Sequence, residues 1–126
     1  MPCPFCQIAP ERIVAQNEHA FAIRDAFPVS PGHTLIIPKR HIASFFETTP
    51  AEKIALLALV DVVGARHAVP LHNAPDAYNI GINDGPAAGQ TVPHLHIHLI
   101  PRYKGDVEDP RGGVRWVVPE KARYWK

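Results

Sequence analysis

The sequence predicts an α+β domain, an antiparallel β-sheet with one main helix packed across it. Three observations carry this prediction. Short β-rich runs at 19–25 and 33–37 flank a turn-rich connection, Phe27-Pro28-Val29-Ser30-Pro31-Gly32. One stretch, beginning at Thr49, has both helical caps and a helical apolar period. A later run alternates strictly between histidine and apolar residues: Pro93-His94-Leu95-His96-Ile97-His98-Leu99-Ile100-Pro101.

The 126 residues fit one domain spanning 1–126, and an apolar content of 46% supports a packed core. The net charge is +1 and basic residues are scattered, so no nucleic-acid or membrane-surface footprint is expected. No apolar run approaches the roughly 18–20 residues of a membrane-spanning helix. The N-terminus has neither a basic nor an apolar signal-peptide region, and a cytoplasmic protein is expected. The 14 prolines predict sharply punctuated elements.

In chain order, a turn-rich segment covers 1–12. His19 to Asp25 reads as a first strand. His33 to Ile37, ended by Pro38, reads as its antiparallel partner. Thr49 suits an N-cap, Pro50 the first helical position, and Glu52 closes a capping box. Leu56, Leu59, Val60 and Val63 follow the spacing of a buried stripe, and Pro70 ends the helix. Tyr78 to Asn83 reads as a strand, and Gly85 to Thr91 as a loop leading into the histidine strand. The tail, 102–126, is charged and turn-rich, with Val114 to Val118 a candidate edge strand.

On a strand, His94, His96 and His98 share one face and Leu95, Ile97 and Leu99 the other. Alternation accounts for the apolar residues and leaves three imidazoles to be explained. A neutral imidazole can attack phosphorus to give a phosphoramidate that water or another nucleophile resolves. Gly85 and Gly89 allow a loop whose backbone N–H groups cradle phosphate, and Thr91 adds a hydroxyl. The pattern therefore suits nucleotidyl or phosphoryl transfer. A metal-dependent hydrolase with all three histidines as ligands is the rival, but same-face side chains from first to third span about 13 Å. A regulatory nucleotide-binding module with little catalysis is a third reading. Cys3 and Cys6, spaced Cys-x-x-Cys, are either free thiols or half of a tetrahedral zinc site.

The histidine run resembles the signature of the histidine-triad superfamily of nucleotide hydrolases and transferases. The likeness extends to Phe5-Cys6-Gln7-Ile8, Ile23-Arg24-Asp25, Pro31 through His41, Asn83-Asp84-Gly85 and Gly89-Gln90-Thr91-Val92. The resemblance implies that His96 is the nucleophile toward an α-phosphorus and that His98 contacts phosphate oxygens. It implies that Gln90 and Thr91 lie near the leaving group, with Gly89 in the same loop. Asp25 then meets the ribose, Phe5, Ile8 and Ile23 surround the purine, and Asn83 lies near the phosphates. His33 supports the site from the adjacent strand. Some dinucleoside-polyphosphate hydrolases carry Gln at the Asn83 position. Some bacterial-type members complete a structural zinc site with residues matching His41 and His94. A purine nucleotide substrate, no catalytic cofactor and a two-fold homodimer with joined sheets are also implied. The plainer readings stay open: His33 and the apolar trio as core, Asp25 as a turn cap. His19, His67 and His72 take no role.

Overall fold

The computed structural model describes residues 3–65 and 73–126. A short 3-10 turn at Pro10–Arg12 leads into β1 (Ile13–Gln16), β2 (Ala20–Arg24) and β3 (Thr34–Pro38). α1 (Pro50–Val63), β4 (Ala77–Gly81), β5 (Ile97–Arg102) and a short α2 (Pro119–Ala122) follow. The strands form one sheet in the order β1-β2-β3-β5-β4, antiparallel at every pairing. The expected α+β class and single main helix are therefore present.

α1 starts where its caps require. The Thr49 hydroxyl accepts from the Glu52 N–H at 3.1 Å, and the Glu52 carboxylate accepts from the Thr49 N–H at 2.9 Å. The helix buries Ala55, Leu56, Leu59 and Val63 on one face of the sheet, against Ala22, Ile36, Leu95, Ile97 and Leu99. The last turn closes at Gly64, whose N–H donates to the Val60 carbonyl. Pro70, the expected terminator, lies outside the described residues, as do His67 and His72.

The opposite sheet face carries Phe21, Ile23, Leu35 and Ile37, with Phe5, Ile8 and Ile13 packed on them from the N-terminal segment. Pairing places Ile23, Leu35 and His98 in one row across β2, β3 and β5, with Gly81 of β4 beside His98. This face holds the site.

Three expectations need correction. β1 was not expected, because its Ile13-Val14-Ala15 run lacks the alternation that marks a half-buried strand. The regular ladder of the histidine segment starts at Ile97, so only His98 of the three lies within β5. Before it the chain bends at 92–94, where the His94 N–H donates to the Val92 carbonyl, and Leu95 N–H donates to the Ile42 carbonyl at 2.7 Å; the alternation survives, with Leu95, Ile97 and Leu99 all buried. Val114 to Val118 is not an edge strand. Residues Gly113–Val117 form a 3-10 helix. The chain turns just before the valines, at Gly112 (φ +96°) and Gly113 (φ +48°). The Trp116 indole then donates to the Arg111 carbonyl, which closes the tail on itself.

Candidate active site

Each histidine of the triad has a different hydrogen-bond environment, and those environments set its tautomer. His96 Nδ1 lies 2.8 Å from the His94 carbonyl, which can only accept. Nδ1 therefore carries the proton, and in the neutral ring Nε2 holds the lone pair. Among the described residues Nε2 has no hydrogen-bond partner. The Phe5 ring sets its edge against this imidazole at a centroid distance of 5.0 Å.

His98 Nδ1 lies 3.0 Å from His33 Nε2. The Val29 N–H donates to His33 Nδ1 at 3.1 Å, so that nitrogen is an acceptor. His33 must then be protonated at Nε2 and donate to His98 Nδ1. His98 in turn carries its proton on Nε2, a donor suited to an oxyanion. Asp25 Oδ2 stands 3.4 Å from His33 Nε2, while Oδ1 accepts from the Phe27 N–H. Burial, the main cause, lowers the pKa of both His33 and His98. The nearby imidazoles push His98 further down, and Asp25 opposes the shift on both rings. Both therefore stay neutral at neutral pH.

His94 is fully buried, and its Nε2–H donates to the Pro38 carbonyl at 2.8 Å. Nδ1 is left as a lone pair, 3.3 Å from Cys3 Sγ, 3.6 Å from Cys6 Sγ and 3.2 Å from His41 Nδ1. His41 Nδ1 is also 3.2 Å from Cys6 Sγ. Zinc–ligand bonds of about 2.1 Å to nitrogen and 2.3 Å to sulfur set tetrahedral edges of about 3.4–3.8 Å, close to the separations seen here. These residues thus match both the donor chemistry and the spacing of a closed zinc site. Asp25, His33 and His98 also converge. That group suits a metal poorly, because His33 Nε2 already bears the proton that Val29 forces on it.

The loop before the triad differs from a phosphate cradle. Gly85 (φ +97°) and Gly89 (φ +99°) adopt backbone that other residues rarely reach. The N–H groups of Ala88, Gly89 and Gln90 bond carbonyls within the loop, and the Gly85 N–H donates to Gln90 Oε1. Gln90 Nε2 donates to the Ala43 and Val92 carbonyls. Gln90 and Gly89 therefore brace the loop. Thr91, exposed at its end, is the residue left to offer donors. Asn83 lies two residues past Gly81, the β4 partner of His98. Ile23 is fully buried as a floor, and Phe5 and Ile8 cover it.

Sequence reasoning missed the backbone groups that set the tautomers: Val29 N–H and the carbonyls of Pro38 and His94. It also missed Asp84, whose carboxylate accepts from the Ser44 hydroxyl and the Phe45 N–H and so fixes the segment beside the loop. Main-chain groups leave no signal in residue identity. Asp84 had one, as the acidic neighbour of Gly85.

Fold and site together define a nucleotide-directed histidine enzyme with a five-stranded antiparallel sheet. Residues 7–105 match the HIT domain model, and the chain belongs to that family. An uncharacterised HIT-like protein of Mycoplasma genitalium is 40% identical over 106 residues, 81% of this chain and 74% of its own. The asymmetrical bis(5'-nucleosyl)-tetraphosphatase of Schizosaccharomyces pombe is 43% identical over 82 residues, 65% of this chain and 44% of that protein. A zinc-bound histidine triad family protein from Mycobacterium smegmatis superposes with a TM-score of 0.71 at 35% identity, covering 95% of this chain and 93% of that one. Nucleotide hydrolysis is the activity class these relationships support.

Proposed function

We propose that the protein hydrolyses or transfers the nucleotidyl group of purine nucleotide derivatives, attacking the α-phosphorus with His96. Dinucleoside polyphosphates and nucleoside phosphoramidates are the substrate classes, and the named tetraphosphatase relative supports the first. The observation that carries the reading is the 2.8 Å bond from His96 Nδ1–H to the His94 carbonyl. It leaves Nε2 as the nucleophile and stabilises the positive charge that the ring gains on attack.

In the first step the Nε2 lone pair forms a P–N bond as the bond from phosphorus to the leaving group breaks, its electron pair departing with that group. The His98 Nε2–H donates to a phosphate oxygen and stabilises the charge that accumulates there. His33 holds His98 in that tautomer. Water, or another nucleophile, then attacks phosphorus, and the P–N electron pair returns to His96. Asp25 meets the ribose hydroxyls, Phe5, Ile8 and Ile23 form the purine surround, and Asn83 and Thr91 face the phosphates. The rival reading, one catalytic metal held by all three histidines, has little support, since each imidazole engages a different partner. A purely regulatory module would not require a nucleophile with its tautomer set.

Structural zinc held by Cys3, Cys6, His41 and His94 would tie the N-terminal segment, and with it Phe5, to the sheet. The zinc-bound relative supports that assignment. Such thiol ligands suit a reducing compartment such as the cytoplasm. A homodimer joined through β4 fits the free edge of that strand and the apolar Ile54, Leu57 and Ile80, which are 70%, 62% and 52% exposed.

Acid quench during turnover, followed by mass spectrometry, should trap one nucleotidyl adduct on His96. The His96→Ala variant should lose at least about 10³-fold in kcat while still binding nucleotide. Turnover without an adduct, or a variant that turns over at the wild-type rate, would sink the covalent route.

A further inference from the structure

One proton on the site face has two acceptors within reach. The Val29 N–H occupies His33 Nδ1, so the ring proton of His33 is confined to Nε2. His98 Nδ1 lies 3.0 Å from that nitrogen, and Asp25 Oδ2 lies 3.4 Å from it. The shorter contact goes to a neutral imidazole. The longer one goes to a carboxylate, the stronger acceptor at equal geometry. Where this proton points decides the state of His98. Pointed at His98 Nδ1, it fixes the His98 proton on Nε2, the donor for a phosphate oxygen. Pointed at Asp25, it leaves His98 Nδ1 with no other donor among the described residues.

Asp25 carries an unused acceptor. Its side chain is 16% exposed. Oδ1 accepts the Phe27 N–H at 2.9 Å, and the Asp25 N–H donates to the His33 carbonyl. Oδ2 accepts no hydrogen bond among the described residues. A largely buried carboxylate oxygen calls for a donor. Asp25 and His33 are also tied to one connection, between β2 and β3, whose Phe27 and Val29 N–H groups hold them. With both side chains anchored, a change in what Oδ2 accepts is felt at His33 Nε2.

A sugar hydroxyl supplies the missing donor. Negative charge already engaged by one donor attracts a second less strongly, so a hydroxyl on Oδ2 weakens its pull on the His33 proton. The proton then belongs to His98.

We propose that Asp25 couples sugar recognition to the chemical step: a ribose hydroxyl on Oδ2 releases the His33 proton to His98, and the oxyanion donor is set when the sugar is in place. The inference rests on the reading of His96 as nucleophile and of Asp25 as the ribose contact. It deepens that reading by making Asp25 a positioning residue for His98. Such a coupling acts on kcat, whereas a contact made equally in ground and transition states acts on KM alone.

The test compares adenosine 5'-phosphoramidate with its 2',3'-dideoxy analogue, which keeps the base, the phosphorus and the leaving group. In the wild-type protein the analogue should lose about tenfold in kcat, besides any rise in KM. Asp25→Asn removes the charge that competes for the proton. In that variant the kcat values for the two sugars should agree within about twofold. Ring-nitrogen NMR of the wild-type protein needs neither turnover nor a folded variant. With adenosine 5'-monophosphate bound, His98 should show a bare Nδ1 and a protonated Nε2. With the 2',3'-dideoxy nucleotide bound, it should show a mixture of both tautomers. An analogue effect confined to KM, or identical His98 spectra with the two nucleotides, overturns the coupling and leaves the His96 reading intact. A tenfold kcat difference that persists in Asp25→Asn assigns the effect elsewhere and overturns it as well. Absence of turnover and of a His96 adduct with both sugars overturns the two readings together.

Discussion

Two pairs of imidazoles, one through His94 and one through His98, flank His96 and do opposite things with a nitrogen–nitrogen contact of nearly equal length. His41 and His94 meet at 3.2 Å, and His33 and His98 at 3.0 Å. Between His33 and His98 lies a proton, placed there because Val29 N–H occupies the other nitrogen of His33. In the other pair, His94 donates its Nε2–H to the Pro38 carbonyl and turns the Nδ1 lone pair toward His41 and two sulfurs. One pair is set to donate a hydrogen bond, and the other presents the donor atoms and spacing that a bound zinc ion would require. Residue type does not distinguish them. A backbone N–H in one case and a backbone carbonyl in the other decide the outcome.

Removing one member of each pair is the strongest way to break this comparison. His98→Ala should lower kcat by about 10²–10³-fold, the scale of losing one preorganised oxyanion donor. Its zinc content and thermal midpoint should stay near wild type. Cys3→Ser should do the reverse: zinc content by elemental analysis falls, the midpoint drops by about 5 °C or more, and kcat is far less affected. If His98→Ala strips the metal, or Cys3→Ser matches it in kcat, the two pairs are not separable.

Acid sharpens the comparison by acting on the proton-sharing pair. Burial lowers the pKa of His33 and His98 below the ordinary 6.5. The unfolded chain therefore takes up protons near pH 6.5 that the folded pair resists. Their neutral state costs no stability above that pH, and stability is lost as pH falls toward the folded values. Protonated His98 would also direct Nδ1–H at the His33 N–H, breaking the relay. The acid limb of kcat/KM should consequently lie below pH 6.5, and denaturant-measured stability should decline over the same range. A flat profile down to pH 5 in both would contradict the assigned tautomers.

Much of this was legible in the residues. The capping box at Thr49 and Glu52 places α1 to the residue, because caps are local chemistry. The alternation from His94 to Leu99 gives the two faces correctly even where the ladder fails, since burial of Leu95 and Ile97 needs only an extended chain. The four zinc-competent ligands were reached through family likeness, and their spacing in the structure agrees. What stayed hidden depends on the main chain or on non-local packing. The bracing role of Gln90 stayed hidden, because its amide finds the Ala43 carbonyl 47 residues away. The valines of the tail read as a strand by propensity, and two positive-φ glycines with a Trp116 bond override them.

The smallest expected effect comes from the other side of the sheet. Glu52 is nearly buried, accepts the Thr49 cap bond, and takes two bonds from Arg40 at 2.9 and 2.8 Å. The Arg40 guanidinium holds its pKa down at about 2, below the ordinary 4.5. Arg40→Ala should lower the thermal midpoint modestly, because it leaves a nearly buried carboxylate with only its Thr49 cap bond. Zinc content and kcat should not change, because neither imidazole pair touches Glu52. The depressed carboxyl also sets a sign. Its stabilisation is complete above pH 4.5 and is lost as pH falls from 4.5 toward 2. The gap in thermal midpoint between wild type and variant should accordingly narrow from pH 6 to pH 3. A gap that stays constant would mean that Arg40 acts through the packing of its stem, and that the charge on Glu52 contributes little.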